Sequence, residues 1–195
     1  MELREFGAVD DRLLAEIGRL RVRAWSTETA AAEAMGSWLD EFDGAAAHWV
    51  VFDGGKLVAA ARLSIHLDLA KVPDAESYEG VFREPPVGPI ASLNRLVVDP
   101  SARGLGLSKR LDLVRLQAAE AYGCRSAILS TASGPHRVRQ LIGWGFEAVG
   151  CGPRFQKPPL CYLPAPMVLV CRLPRRSKVV AGCSIPISEE APLPA

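Results

Sequence analysis

One segment carries most of the information in this chain: Leu93-Asn-Arg-Leu-Val-Val-Asp-Pro-Ser-Ala-Arg-Gly-Leu-Gly-Leu-Ser108. Its apolar first half predicts a strand that ends at Asp99-Pro100, and its second half turns through two glycines into a helix. Glycine allows the tight turn and lets backbone amides approach a ligand closely. The first turn of the helix adds unpaired N–H groups and the positive end of the helix dipole. The segment therefore predicts a cradle for a pyrophosphate.

Three kinds of phosphate loop compete with a plain strand-to-helix turn here. A Walker A loop needs GxxxxGK followed by Ser or Thr, a spacing that the sequence lacks. A dinucleotide fingerprint needs a third glycine, which normally allows close helix–strand packing, where this chain has Lys109. An acyl-CoA loop, Gln/Arg-x-x-Gly-x-Gly/Ala, is matched by Arg103-x-x-Gly106-x-Ser108 and is preceded by Leu96-x-Val98-x-Pro100. The order of strand, proline, arginine, glycines and amphipathic helix favours the acyl-CoA loop over the plain turn.

This region resembles the GNAT superfamily of acyl-CoA-dependent N-acyltransferases, and the resemblance extends more weakly from about residue 3 to about residue 173. Ser108 stands where most relatives have Gly or Ala, and it is still small. The resemblance implies that the strand before the loop separates from its neighbour and pairs with the pantetheine arm of acetyl-CoA or another acyl-CoA, with the Val97 amide as oxyanion donor. The implied CoA-binding residues are Leu96, Val97, Val98, Arg103, Gly104, Leu105, Gly106, Leu107 and Ser108.

The groups that would transfer protons are poorly marked. The resemblance implies a carboxylate on the strand before the loop, which has none, and a tyrosine five residues before Phe146, where this chain has Leu141. His136 and Tyr162 are the acid or base candidates, and Ser133, His66 and Asp68 are further substitutes that could equally be caps, turns or surface residues. Acid–base help typically contributes about 10²–10⁴-fold, so positioning alone could support a slower transferase.

Other residues are similar to those of acyl-homoserine-lactone synthases and long-chain N-acyl amino acid synthases, which share the fold. They are Leu20-Arg21 with Trp25, Ser92–Val98 with Arg95, and Gly143-Trp144-Gly145. This resemblance implies substrate-binding roles for Trp25 and Arg95, and acyl carrier protein as a donor beside CoA. The acidic pair characteristic of those synthases has no clear match in the sequence, and the intact Arg-Gly-Leu-Gly loop favours CoA.

A third hypothesis is a GNAT domain that binds CoA without catalysis. The missing tyrosine and the missing carboxylate motivate this hypothesis. Thiol release from acetyl-CoA in the presence of amines would separate it from the two enzyme hypotheses.

Bulk properties limit the partners and the compartment. The 195 residues suit one domain, and a formal net charge of +1 favours neither nucleic acid nor an anionic membrane as partner. The sequence has neither a signal-peptide pattern nor an apolar run of membrane-spanning length, so we expect a cytoplasmic protein. Five scattered cysteines predict buried free thiols and no metal site. The expected acceptor is a small-molecule amine or an amino-acid-like compound, and a homodimer stays open.

The order of the elements predicts an α/β (α+β) fold with a mixed, mostly antiparallel central sheet that is flanked by helices and splayed at its central strands. Residues 1–173 form one domain, and the proline-rich tail 174–195 is expected to be loosely ordered. The predicted strands are residues 3–9, His48–Phe52, Leu57–His66, Ile90–Val98, Ser126–Ser130, Phe146–Gly150 and Met167–Leu173. The predicted helices are one capped by Asp10 or Asp11 that runs to about Trp25, then Thr29–Phe42, Leu105–Tyr122 and one from Pro135 to just before Gly143. Long loops cover Leu67–Pro89 and Cys151–Pro166.

Overall fold

The structure is a computed structural model that describes residues 1–6, 10–26, 34–132, 134–157 and 160–175. Within these residues the strands are β1 (Glu2–Phe6), β2 (Ala47–Asp53), β3 (Lys56–His66), β4 (Ile90–Val98), β5 (Ser126–Thr131), β6 (Glu147–Cys151) and β7 (Met167–Arg172). They form one mixed sheet in the order β1-β2-β3-β4-β5-β7-β6. Among these neighbours β4 and β5 are parallel, and the other pairs are antiparallel. The predicted fold class is therefore confirmed.

Among the described residues, three helices cover the two faces of the sheet: α1 (Asp11–Ser26), α2 (Leu107–Ala121) and α3 (Pro135–Ile142). The Asp10 carboxylate caps α1 by accepting from the Leu13 amide at 2.7 Å. Leu111 of α2 and Leu141 of α3 share one buried cluster with Leu93 of β4, whereas α1 belongs to a separate cluster that includes Val97. The helix α1 and the pair α2 and α3 thus lie on opposite faces of the sheet.

The sheet opens between its two central strands. β4 and β5 pair through Ile90–Ser92 and Ser126–Ile128, after which β4 continues to Val98 and β5 to Thr131 without pairing to each other. Their facing edges therefore carry backbone N–H and C=O groups that can bind an extended ligand. We call this space between β4 and β5 the central gap. It corresponds to the predicted splay of the sheet at its central strands.

The predicted helix over Thr29–Phe42 is wrong for the part that the structure describes. Residues 27–33 lie outside the described residues, and residues 34–42 are not helical. The Trp38 amide donates to the Gly18 carbonyl of α1 at 3.2 Å, and the Trp38 carbonyl accepts from the Arg21 guanidinium at 3.1 Å. A Cβ on Gly18 would lie 2.1 Å from Ser37 Oγ, so a glycine there allows the close approach. The backbone of Trp38 is therefore bonded to α1 instead of to a helix of its own segment.

Most other predicted elements are confirmed to within a few residues, but one prediction about the cysteines is wrong. Cys124 and Cys171 are buried free thiols and Cys161 is half-buried, whereas Cys151 is exposed because it ends the edge strand β6. Cys183, which was also expected to be a buried thiol, lies outside the described residues, as does the tail from residue 176 onward. In the described part of the chain, none of the helices has the length and apolarity needed to cross a membrane.

Candidate functional site

The turn between β4 and α2 is organised by Asp99. Its Oδ1 accepts from the Ser101 amide at 3.1 Å and the Ser101 hydroxyl at 2.6 Å, while its own amide donates to the Val58 carbonyl at 2.8 Å. Lys56 and Arg23 lie 3.5 and 3.4 Å from the same carboxylate. Burial alone would raise the pKa of Asp99, but the Ser101 hydrogen bonds and Lys56 lower the pKa to about 2. The turn thus begins at an ionised aspartate whose carboxylate and amide are both hydrogen-bonded.

The glycines of the turn are required by backbone conformation. Gly104 has φ +82° and Gly106 has φ +73°, while a Cβ added at either position would meet nothing within 4 Å. The space beside them is open, and Arg103 to Gly106 are exposed. The first hydrogen bond of α2 runs from the Arg110 amide to the Gly106 carbonyl at 3.1 Å, so the preceding amides of the helix have no partner within it. Exposed amides at the positive end of a helix suit a phosphate.

The side chain of Arg103 also joins the turn to α1. Its guanidinium donates to the Ala24 carbonyl at 2.8 Å, in the last turn of α1, where carbonyls lack helical partners. Arg103 therefore has a role in holding the turn against α1, and a contact with phosphate remains a prediction.

A bulge in β4 decides which backbone groups face the central gap. Asn94 lies opposite Arg62, but Val97 lies opposite Ala60, so β4 carries one extra residue there, and Arg95 has φ +50°. Beyond the bulge, the Asp99 amide donates to Val58. Hydrogen-bonded and non-bonded pairs alternate in an antiparallel ladder, so the Val97 amide also faces β3.

This alternation corrects the expected role of Val97. Its amide is directed to Ala60 of β3, away from the gap, whereas the amides of Leu96 and Val98 are on the edge that faces the gap. The period-2 apolar pattern does not reveal the bulge, which shifts the alternation by one residue. The backbone groups available to a ligand are therefore those of Leu96 and Val98.

A buried guanidinium supports the bulge from the face covered by α2. Arg115 is 1% exposed and donates to the carbonyls of Arg62 at 2.9 Å and Asn94 at 3.2 Å. It also donates to the Asp112 carboxylate at 2.7 Å, and Arg137 of α3 donates to that carboxylate at 3.0 Å. Burial lowers the pKa of Arg115 to about 10, while Asp112 opposes that shift. One buried aspartate thus connects α2, α3 and the bulged strand.

The opposite face of the bulge carries a second ionic cluster. The bulge puts two consecutive side chains on this face: Asn94 accepts from Arg62 Nε at 2.6 Å, and Arg95 donates to Asp40 at 2.8 Å and to Asp74 at 3.0 Å. Arg62 also donates to Asp40, at 3.1 Å and through a second, shorter bond. Asp40 therefore bridges the two arginines.

The cluster continues inward to α1. The Asp43 carboxylate accepts from Arg21 at 2.7 and 2.8 Å and lies 2.9 Å from Arg62. Burial would raise the pKa of both Asp40 and Asp43, yet the neighbouring guanidinium groups hold both values below the usual range. Both carboxylates are therefore ionised at neutral pH and are weak proton acceptors.

Beside this cluster lies a cavity of about 380 Å³ with aromatic and charged walls. The Arg95 guanidinium lies 5.1 Å from the centre of the Trp38 ring, and Trp38 packs edge-on against Trp25 at 6.0 Å. The two residues that the sequence predicted to bind substrate, Trp25 and Arg95, are thus connected through Trp38. A larger cavity, about 510 Å³, lies at the outer edge of the sheet near β1 and is remote from the central gap.

The structure separates the proposed acid and base residues. His136 is exposed in the first turn of α3. His66 ends β3 and is half-buried, with its Nε2 2.9 Å from Ser64 Oγ and its ring 5.8 Å from that of Phe42, which lines the cavity. Burial, and then Arg62, lower the pKa of His66, so its ring is neutral at pH 7.

The remaining candidates have simpler roles or are only partly described. Asp68 caps a short 3-10 turn by accepting from the Ala70 amide at 2.9 Å. Leu141 is fully buried in the main core. Tyr162 ends the 3-10 turn that starts at Leu160, its side chain lies outside the described part, and Ser133 is not described. Within the described ranges, no group of three or more His, Cys, Asp or Glu side chains could hold a metal ion.

Sequence reasoning missed the acidic partners of the arginines. Asp40 and Asp43 fall in a segment that was predicted to be helical, where two carboxylates three residues apart suggest only a solvated face. Asp74 lies in a long loop without periodicity. The signal that could have found them is the spacing Asp-x-x-Asp shortly before a buried strand, together with unpaired arginines at Arg21 and Arg62 on apolar elements.

The chain matches a known protein family by sequence. The sequence model described as the acetyltransferase (GNAT) family matches residues 12–152. No curated protein matches by sequence.

Several solved structures share the fold. An acyl-CoA N-acyltransferase from Pseudomonas aeruginosa is 22% identical, with a TM-score of 0.58 over 87% of this chain and 98% of that chain. GphF, a GNAT-like decarboxylase in complex with isobutyryl-CoA, is 18% identical, with a TM-score of 0.62 over 88% and 99%. The acyl-homoserine-lactone synthase LasI is 16% identical, with a TM-score of 0.56 over 87% of each chain. At these identities the likeness shows the fold.

Proposed function

This chain belongs to the GNAT acetyltransferase family of acyl-CoA-dependent N-acyltransferases, and from that premise we propose that it transfers a short acyl group, acetyl above all, from acyl-CoA to the primary amine of a small or amino-acid-like acceptor. The observation that carries the proposal is the central gap beside the glycine turn. There, free backbone groups of Leu96 and Val98 lead directly to the exposed amides before Arg110. Phosphate and pantetheine need these two features in this order.

The proposed donor path runs along β4. The amides from Gly104 to Ser108 bind the pyrophosphate at the carboxyl end of the strand, and the pantetheine arm follows the free edge past Val98 and Leu96. An amide on this edge, that of Leu96 by our assignment, donates to the thioester oxygen as negative charge develops there. A preorganised donor of this kind typically contributes about 10²–10³-fold to the rate.

The proposed acceptor approaches from the cavity of about 380 Å³ beside the Asp40 cluster, on the face of the sheet opposite α2. The attacking nitrogen forms a bond to the thioester carbon, the carbon–sulfur bond breaks, the nitrogen loses a proton and the CoA thiolate gains one. Asp40 and Asp43 are poor bases because their pKa values are lowered by the arginines. His66 is the better candidate, since its lowered pKa keeps the ring neutral and it neighbours Phe42 at the cavity.

A second candidate function is favoured by one specific observation. Arg21, Arg62 and Arg95 converge on the pair Asp40 and Asp43, and this supplies an acidic pair of the kind that the synthase resemblance calls for. An acyl-homoserine-lactone or N-acyl amino acid synthase would use longer acyl groups, carried by CoA or by acyl carrier protein. The length of the accepted acyl group therefore discriminates between the two candidates.

The test is release of the free CoA thiol from acetyl-CoA in the presence of a panel of amines that includes amino acids and polyamines. We expect amine-dependent release by the wild-type chain. The matched variant is Gly106→Asp, which puts a carboxylate at the phosphate site, and it should abolish that release. Thioester binding without turnover on any amine would instead indicate a CoA-binding module, and turnover restricted to long acyl-carrier-protein thioesters would select the synthase.

A further inference from the structure

Tyr78 fills the space behind the closed end of the central gap. It ends a 3-10 turn in the loop between β3 and β4 and is 4% exposed. Its ring belongs to a buried apolar cluster with Ile90 of β4, Ile128 of β5 and Val168 of β7. A surface loop thus places one large aromatic side chain against both strands that border the gap.

The hydroxyl end of Tyr78 marks its position more closely. The side chains of Ser130 and Ser92 lie close enough to the Tyr78 hydroxyl to lower its pKa, against the larger effect of burial, which raises it. Ser92 is the last residue of β4 that pairs with β5, and Ser130 lies two residues beyond Ile128, the last paired residue of β5. The tyrosine hydroxyl therefore lies where the two strands diverge.

The segment that carries Tyr78 is held from several sides. The Ser77 hydroxyl donates to the Asp74 carbonyl at 2.8 Å, and the Asp74 carboxylate binds Arg95 at 3.0 Å. A Cβ on Gly152 would lie 1.8 Å from the Ser77 carbonyl oxygen, so the chain after β6 packs tightly on this turn. The Tyr78 ring is also stacked on Phe82 at 6.4 Å. These contacts fix the ring in place.

We propose that Tyr78 limits the length of the acyl group that the central gap accepts, so that the donor class is acetyl and other short acyl-CoA thioesters. The inference rests on the proposed function. A pantetheine arm that starts at the glycine turn and follows β4 passes Val98 and Leu96 and heads toward Ser92 at the closed end. A longer acyl chain continues in the same direction and meets the Tyr78 ring.

The first arm of the test needs only the wild-type chain. Titration calorimetry compares CoA, acetyl-CoA, butanoyl-CoA and hexanoyl-CoA. An open apolar tunnel would tighten binding about fourfold for each methylene that it buries. We expect no such gain, with hexanoyl-CoA binding no more tightly than acetyl-CoA. A gain of about tenfold or more for hexanoyl-CoA would overturn the inference while leaving the proposed function standing.

The second arm removes the ring. Tyr78→Ala should make hexanoyl-CoA bind at least about tenfold more tightly than acetyl-CoA, a difference of the size that hydrophobic pockets give for a methylene or more. Tyr78→Phe is the matched control, because it keeps the ring, and it should keep the wild-type preference. Tyr78→Leu, which removes less volume, replaces the alanine variant if that variant does not fold.

The outcomes separate the two claims. If the ring-removing variants bind the thioesters in the wild-type order, Tyr78 does not set the length. If Tyr78→Phe shifts the preference as far as Tyr78→Ala does, the hydroxyl and not the ring is responsible, and the inference fails. If the wild-type chain binds neither CoA nor acetyl-CoA, the proposed function itself fails.

Discussion

Replacing Arg115 by Met should destabilise the protein strongly, because Arg115 is 1% exposed and its guanidinium donates hydrogen bonds to four groups. It donates to the carbonyls of Leu111, Arg62 and Asn94 at 3.2, 2.9 and 3.2 Å and to Asp112 at 2.7 Å. Removing one partner of a buried ion pair costs about 3–5 kcal/mol.

Asp112 moderates the expected cost for Arg115→Met. Its carboxylate keeps Arg137 at 3.0 Å, so the variant does not leave an unpaired buried charge. We therefore expect the lower end of the range, about 3 kcal/mol of unfolding free energy. In a chain of this size, that corresponds to a fall in the melting temperature of about 6–12 °C.

The assay for this variant is denaturant unfolding together with calorimetric melting. Arg139→Met is the matched control, because Arg139 is exposed on α3, and its effect should stay within about 0.5 kcal/mol. A loss below about 1 kcal/mol for Arg115→Met, or a loss equal to that of the control, would refute the argument that Arg115 supports the bulge.

Three further predictions test other parts of the account. Because the folded pKa of Asp99, about 2, lies below its usual value of 3.8, its stabilising contribution is present above pH 4 and disappears as the pH falls toward 2. Acid unfolding should register a loss of about 2 kcal/mol from this group, and Asp99→Asn should not show that component. Gly152→Ala should lower the free energy of unfolding by about 1–3 kcal/mol, because the added Cβ would overlap the Ser77 carbonyl oxygen. Gly134→Ala is the control, since its Cβ would meet nothing within 4 Å, and it should have a smaller effect. Equal melting temperatures of the two variants would contradict this prediction. His66→Gln should slow acyl transfer by about 10²-fold with an unchanged Kd for acetyl-CoA, and His136→Gln should leave the rate unaffected; the reverse order would reassign the base.

The elements with strong periodicity could be predicted from the sequence, as could the glycine turn. The pattern places β4 at Ile90–Val98, where the structure has it, and the helix predicted over Leu105–Tyr122 is α2 at Leu107–Ala121. These features depend on local signals: alternating apolar residues, a helical repeat and glycines in left-handed conformation.

The predictions that failed concern features that depend on contacts between residues far apart in the sequence. Residues 34–42 do not form the predicted helix. The backbone of Trp38 is bonded to Gly18 and Arg21 instead, and local helix propensity does not reveal these contacts. The bulge at Arg95 changes which amides face the gap, and it is held by Arg115, Asp40 and Asp74 from other elements. Tyr78 falls in the long loop predicted over Leu67–Pro89, where the sequence shows no periodicity. Its position depends on how its loop packs.

The central claim is that the glycine turn and the free edge of β4 bind acyl-CoA. The most direct test is the dissociation constant of acetyl-CoA, measured by calorimetry, for the wild-type chain and for two variants at opposite ends of α2. Gly106 and Gly123 have nearly the same φ, +73° and +72°, and both have open space around them, so an Asp at either site brings the same strain and charge. We expect the wild-type chain and Gly123→Asp to bind acetyl-CoA alike and Gly106→Asp to bind it at least about tenfold, or 1.4 kcal/mol, more weakly. Equal affinity of Gly106→Asp and the wild-type chain would contradict the central claim.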